Sequence, residues 1–170
     1  MEKQDFDNLV AQHSRQVLNT ALRILRDENA ASDVHQDVFL AIWRRRKQYD
    51  NTVNWSGYLY RITIRKSMEQ IRKMKAFPTT GFQFEHLHSG ETSQPEHRMV
   101  TSEMQRHLSS CIGQLSDKQA EAFTLIRIEG LDYSQTAAIM GCKEETVRVH
   151  LHRALKQLAI LMNPCFRKGG

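Results

Sequence analysis

The sequence predicts an all-α protein made of two small helical domains joined by a flexible linker, and three observations carry that expectation. Apolar residues recur every three or four positions through most of the 170-residue chain, the mark of helices with one buried face. No segment alternates apolar and polar residues as a half-buried strand would. Between Phe77 and His97 the periodicity lapses, and Pro78, Thr79, Thr80, Gly81, Ser89, Gly90, Ser93 and Pro95 collect there. Such a stretch is uncommon inside one compact domain. The predicted boundaries are therefore a first domain over 1–76, a linker over 77–98, a second domain over 99–163 and a short tail over 164–170.

In the first domain, Leu9, Val10, Val17, Ala21, Leu22 and Leu25 keep one side of a helix apolar, and Asp27-Glu28-Asn29 ends it. A second helix is expected from about Ala31 to Lys47, with Val34, Val38 and Ile42 as its stripe and Phe39 and Trp43 beside it. Asp50-Asn51 breaks the pattern. Ser56 can cap a third helix running to about Lys75, because a serine oxygen satisfies the free amides of a first turn. In the second domain Val100, Met104, Leu108, Cys111, Ile112 and Leu115 share a face. Ser116 with Gln119 forms a capping-box pattern that opens a helix through Phe123 and Ile126, stopping at Gly130. Asp132 with Gln135 resembles that start, and the short helix it opens stops at Gly141. A longer helix then buries Val147, Leu151, Leu155, Leu158 and Met162. Two helices around a tight turn are the grammar of a helix-turn-helix.

Composition narrows the function classes. Hydrophobic content of 40% with 25% charged residues is ordinary for a folded chain, and no apolar run approaches the ~20 residues a membrane span needs. The start of the sequence has no basic segment followed by an apolar one, so no secretory signal is expected and a cytoplasmic location is. Cys111, Cys142 and Cys165 are widely spaced, which indicates neither disulfides nor zinc. There is no nucleophile–base pairing, metal-ligand spacing or glycine-rich phosphate loop. His86 and His88 fall in the linker. Neither an enzyme nor a cofactor is expected. Lys and Arg number 24 against 19 Asp and Glu, for a net charge of +5, which permits a polyanionic partner.

The cations are unevenly placed. Arg61, Arg65 and Arg72 project from one side of the third helix, beside an apolar stripe of Tyr60, Ile64, Met68 and Ile71. Together with Arg44, Arg45, Arg46, Lys47, Lys66, Lys73 and Lys75 they face Asp50 and Glu69 as the acids of that stretch. This asymmetry suits phosphate neutralisation, a solvated charged face being the alternative. Trp55, Tyr58 and Tyr60 lie at the entry to the same helix and could stack on bases freed from a melted duplex, or pack in the core. Asn51-Thr52-Val53-Asn54 suits an extruded base or an ordinary turn. On the second helix Asp33, Asp37, Leu40 and Arg44 lie opposite Val38 and Ile42, an exposed leucine among charges that suggests docking. On the last helix Glu145, Val149, His152, Arg153 and Lys156, with Arg148 and His150 at the margins, could meet a major groove. A helix pair used for packing alone is the other reading.

Taken together, these segments resemble a bacterial sigma factor. Asp33-Val34-His35-Gln36-Asp37-Val38-Phe39-Leu40-Ala41-Ile42-Trp43 looks like sigma region 2, where the helix docks on a coiled coil of the polymerase largest subunit. That implies polymerase-docking roles for Asp33, Gln36, Asp37, Leu40 and Arg44. Trp55-Ser56-Gly57-Tyr58-Leu59-Tyr60-Arg61-Ile62 is similar to the segment that melts and reads the minus-ten element. The resemblance implies Asn51, Asn54, Trp55, Tyr58, Tyr60, Arg61, Arg65 and Arg72 as its DNA contacts. Leu115-Ser116 through Leu131, Gln135 through Gly141 and Thr146 through Ala154 resemble region 4. They imply Glu145, Thr146, Arg148, Val149, His152, Arg153 and Lys156 at the minus-thirty-five element. Regions 2 and 4 alone, in this order around a linker, imply the extracytoplasmic-function group. The implied partners are core RNA polymerase and promoter DNA, with an anti-sigma factor a further partner the resemblance allows, and no membrane insertion. A helix-turn-helix regulator that does not bind polymerase would not need the basic aromatic segment from Trp55 to Lys75, and a helical adaptor would not need clustered cations.

Overall fold

The computed structural model describes residues 1–49, 52–76 and 95–166, with side chains described at 1–49, 52–75 and 104–163. Asn51, His86, His88 and most of the predicted linker lie outside the described residues, as does the side chain of Cys165. Among the described residues every regular element is helical.

The first helix, α1, spans Lys3–Leu25 and stops because Arg26 turns into the left-handed region at φ 56° while its N–H reaches the Leu22 carbonyl. A left-handed non-glycine residue cannot continue a right-handed helix. Asp27 then starts the next one, its carboxylate accepting from the Ala30 N–H at 2.7 Å. The Asp27-Glu28-Asn29 segment is thus the cap and first turn of α2, Glu28–Arg44, which begins earlier than the apolar pattern alone predicts. A single 3₁₀ turn, Arg46–Gln48, follows. The third helix, α3, runs Trp55–Ala76. Its start differs from expectation: the side-chain oxygen of Asn54, not Ser56, accepts the free amide of Gly57 at 3.2 Å. Asn is as good a cap as Ser.

In the second half α4 spans Pro95–Ile112, beginning within the stretch assigned from sequence to the linker. Proline suits a first helical turn, where its missing N–H has no partner to lose. Ser116 opens α5, Asp117–Phe123, with its amide donating to Gln119 Oε1 at 3.2 Å. The chain then widens into one π turn, Thr124–Ile128, closed by Glu129 N–H to the Thr124 carbonyl at 2.9 Å, and turns at Gly130, φ 76°. Asp132 and Gln135 make the predicted reciprocal cap at 2.7 and 3.1 Å and open α6, Tyr133–Met140. Gly141 follows at φ 65°, and α7 spans Glu144–Phe166.

Helices α1, α2 and α3 pack on one another, as do α5, α6 and α7, with α4 against α7. Val17, Ala21, Ile24, Val34, Val38, Ile42 and Leu59 of the first half and Leu115, Leu125, Val147, Leu151, Ala154 and Leu158 of the second belong to one continuous buried cluster. Three positions differ from the predicted stripes, Met104 among them at 39% exposed. Leu155 is 38% exposed while Ala154 is buried, and Leu22 is 36% exposed while Ile24 is buried. At 100° per residue, Val147, Leu151, Ala154 and Leu158 hold a narrow stripe, and Leu155 falls one step off it.

The two halves also pack together through α3, whose other side lies on α5 and α6. Gly57, Ile64, Met68, Ile71 and Lys75 follow one stripe of that helix. A Cβ at Gly57 would stand 3.3 Å from Ile139 Cγ1, and one at Gly113 would stand 2.4 Å from Ile71 Cγ2. The second distance leaves no room for any side chain, so glycine at 113 is what lets the α4–α5 corner seat on α3. Ser109 Oγ adds a bond to the Ile24 carbonyl at 2.8 Å.

One contact inside the first half makes stability depend on pH. His35 Nε2 and Ser14 Oγ share a 2.8 Å hydrogen bond between α2 and α1, and Phe39 packs edge-on to the imidazole at 5.0 Å. Burial lowers the His35 pKa below its ordinary 6.5. The folded state therefore favours neutral imidazole. Its contribution is complete above pH 6.5 and is lost as pH falls toward the lowered value, because the unfolded chain then binds a proton that the folded chain resists. Urea titrations at pH 7.5 and 5.5 are expected to show a smaller acid-induced loss of stability in His35→Gln than in the parent; equal losses would exclude His35 as the source.

Candidate nucleic-acid and polymerase interfaces

Three surfaces present the residues singled out from the sequence. On α2 the core stripe of Val34, Val38 and Ile42 is buried. The opposite side carries Asp33, Gln36, Asp37, Leu40 and Arg44, all exposed. Leu40 is 44% exposed among these charges and amides. An apolar residue ringed by polar ones is the arrangement in which docking energy concentrates once water is excluded.

At the entry to α3 the aromatic rings hold one another. Trp55 and Tyr58 meet edge-on at 6.0 Å, and both pack against Tyr49 at 5.1 and 5.7 Å. The hydroxyls of Tyr49 and Tyr58 lie 2.8 Å apart. Burial and then the Tyr58 bond push the Tyr49 hydroxyl up to about 12. Trp55, Tyr58 and Tyr60 are half-buried and lean on the core, a position between free stacking platform and interior residue. Tyr49 was not singled out from the sequence; the available signal was an aromatic residue closing the α2 segment just before the loop that Trp55 ends. Thr52 and Asn54 are exposed in that loop.

The cationic side of α3 is divided. Arg65 is the most open, its side chain 70% exposed and 3.6 Å from Glu69 one turn along. Arg61 and Arg72 instead turn to the second half. Arg61 Nε lies 3.9 Å from Glu121 Oε1. Arg72 donates to the carbonyls of Gly113 and Leu115 at 3.2 and 3.1 Å and to Asp117 Oδ1 at 3.2 Å. Lys75 Nζ donates to the Ser110 carbonyl at 2.8 Å. The last carbonyls of a helix have no partners inside it, and here Arg72 and Lys75 supply donors to the end of α4 and the loop after it. Glu129, its side chain 4% exposed, accepts from Arg23 at 2.7 Å and Thr20 at 3.0 Å on α1. Burial and the neighbouring Glu129 charge raise the Tyr60 pKa.

The third surface is α7. Val147, Leu151, Ala154 and Leu158 face the core, and Glu145, Thr146, Arg148, Val149, His152, Arg153 and Lys156 are exposed. Val149 is 47% exposed near the centre of that face. Arg148 sits toward its α6 edge, with its guanidinium carbon 4.0 Å from the Tyr133 ring centroid and Nη2 3.7 Å from Glu144 Oε2.

Residues 9–77 match the family described as Sigma-70 region 2, and residues 105–158 match Sigma-70, region 4. The chain is 26% identical to the RNA polymerase sigma-H factor of Pseudomonas aeruginosa, over 98% of this chain and 91% of that one. It is likewise 26% identical to the ECF RNA polymerase sigma-E factor of Escherichia coli, again over 98% and 91% of the two chains. A solved structure of the sigma factor RpoE in complex with the anti-sigma factor NepR from Bartonella quintana is similar in fold. Its TM-score is 0.54 at 21% identity, over 94% of this chain and 98% of that one. Among the described residues no helix is long and apolar enough to cross a membrane.

Proposed function

This chain belongs to the sigma-70 family, in its extracytoplasmic-function group, and from that premise we infer how its surfaces work. It is a sigma factor that binds core RNA polymerase and directs promoter-specific initiation. The single observation that carries this is the pair of matches to regions 2 and 4, in that order over most of the chain. A regulator that uses a helix-turn-helix alone would not carry a region 2 ahead of it.

We assign polymerase docking to the exposed α2 face, Asp33, Gln36, Asp37, Leu40 and Arg44. Minus-ten recognition and strand opening fall to Asn51, Asn54, Trp55, Tyr58, Tyr60, Arg61, Arg65 and Arg72. Upstream recognition falls to Glu145, Thr146, Arg148, Val149, His152, Arg153 and Lys156. The first domain, 1–76, then serves the polymerase and the minus-ten element, and the second, 99–163, the minus-thirty-five element, with 77–98 between them. The physical logic is additive. Phosphate neutralisation by the cations gives affinity without sequence, base edges in the major groove give specificity, and stacking captures bases that pairing has released. None of these is a bond-breaking step, so the protein works as an initiation factor and not as an enzyme. Its place is the cytoplasm, where polymerase and promoters meet. A partner of the anti-sigma class is supported by the complex in which the structurally similar RpoE is held.

Purified protein mixed with core polymerase is expected to co-elute with it and to yield run-off transcripts from promoters induced on overexpression, whereas core polymerase alone yields none. Co-elution without promoter-dependent transcripts, or DNA binding without co-elution, would refute the assignment.

A further inference from the structure

The cations of α7 are not equivalent. Arg153 and Lys156 are exposed and, among the described residues, have neither a ring nor a carboxylate partner, whereas Arg148 is held on two sides. The hold is built from the sequence upward. Asp132 and Gln135 cap each other reciprocally and fix the first turn of α6, where Tyr133 is the first residue. Gly141 turns the chain left-handed, and buried Ala137 and Met140 on α6 with Val147 and Leu151 on α7 seat the helices together. Arg148, one turn into α7, is thereby placed with its guanidinium over the Tyr133 ring, while Glu144, one turn earlier, lies beside it with Oε2 3.7 Å from Nη2.

A stacked guanidinium uses its face for the ring and keeps its in-plane N–H groups for other acceptors. Its side chain remains 57% exposed, so those edges stay open to a partner. Holding the side chain before binding removes part of the rotamer entropy a free arginine would lose on contact. An arginine fixed in this way suits a base pair, where two in-plane bonds require one orientation, whereas the unheld Arg153 and Lys156 suit phosphates, which do not.

We propose that Tyr133 is a positioning residue: it orients Arg148 for one base pair of the upstream element and makes that arginine the specificity-determining cation of α7. This rests on the reading of α7 as the recognition helix. Tyr133 touches no base itself.

The test uses the full chain loaded on core polymerase and duplexes randomised over the upstream element, first to establish the preference of the parent at each position. Arg148→Ala is expected to flatten the preference at one position, or two adjacent ones, by about fivefold or more. Tyr133→Leu keeps apolar bulk but removes the ring face, and should weaken the preference at those same positions by about twofold to fivefold, the bias an exposed cation–π contact provides. Other positions and the salt dependence should not change, because Arg148 is still charged. Tyr133→Phe should behave as the parent, and the Tyr133→Leu, Arg148→Ala double variant as Arg148→Ala alone. Thermal melts accompany each variant, with Tyr133→Met in reserve if Leu is not tolerated. The proposal is overturned if Tyr133→Leu retains the preference that Arg148→Ala loses, or weakens every position evenly as a merely structural change would. If Arg148→Ala keeps every preference, the proposal is overturned because Arg148 reads no base; loss of upstream protection in Arg153→Ala, Lys156→Ala would show that α7 binds there nonetheless.

Discussion

A chain carrying Ile71→Cys and Gly113→Cys, oxidised so that the two join, is expected to lose promoter-dependent transcription and to regain it on reduction. The elements that regions 2 and 4 serve are centred about 25 base pairs apart, as their names state, or roughly 85 Å along the helix at 3.4 Å per step. A closed body of this chain length is roughly 40 Å across. The packed halves therefore cannot reach both elements at once, and α3 must come away from α5 and α6. Chain length allows this: residues 77–94 can extend to at most roughly 60 Å. Opening also frees Arg61 from Glu121 and Arg72 from Asp117 and the Gly113 and Leu115 carbonyls, two of the cations assigned to DNA. A Cβ at 113 lies 3.2 Å from the Ile71 Cβ, close to the roughly 3.5–4.5 Å that a disulfide spans. Replacing Ile71 by Cys removes the methyl that would collide. Run-off yield should fall at least about a hundredfold in the oxidised protein, with full recovery in reductant and near-parental yield from the Ile71→Cys single variant, once mass mapping has confirmed the 71–113 bond in the double variant. Equal transcription from oxidised and reduced protein would show that initiation does not require the halves to part.

The second large effect is expected at α2. Asp37→Arg combined with Leu40→Ala should weaken binding to core polymerase by roughly two to three orders of magnitude. Truncating an anchor at the centre of a desolvated patch costs ~2 kcal/mol or more, and a reversed charge against a complementary surface adds a repulsion of comparable size. Both side chains are exposed in the free protein, and surface substitutions of this kind change folding stability by only about 0.5 kcal/mol. Circular dichroism and the urea midpoint should therefore stay near parental while affinity, measured by competition for core polymerase, collapses. Parental affinity in the folded double variant would exclude this face as the docking surface.

Much of the architecture was legible because it is decided within a few residues. Three- and four-residue spacing on α2 separates buried Val34, Val38 and Ile42 from exposed Asp33, Asp37 and Leu40. The caps at Ser116 and Asp132 and the left-handed Gly141 needed their neighbours alone. Boundaries were less secure, because two residues can compete for one role: Asn54 took the cap that Ser56 could have supplied, and Asp27 proved a start as well as a stop. Periodicity also misjudges near ties, as where Ala154 entered the core in place of the larger Leu155.

By itself, then, the sequence determined an all-α chain of two helical units, their order, and the polar faces that carry the candidate contacts, since helix spacing and capping act over one turn. The tertiary structure alone decided what those faces meet. Arg72 finds Gly113 and Leu115, and Glu129 finds Thr20 and Arg23, across separations of 41 to 109 residues. Tyr49 joins Trp55 and Tyr58 across a loop. Gly113 matters through the side chain it lacks, which gives no signal in a hydrophobic pattern; its meaning appears only when Ile71 is brought against it. Such pairings depend on how whole helices pack, and packing selects among many partners that local spacing leaves equally possible.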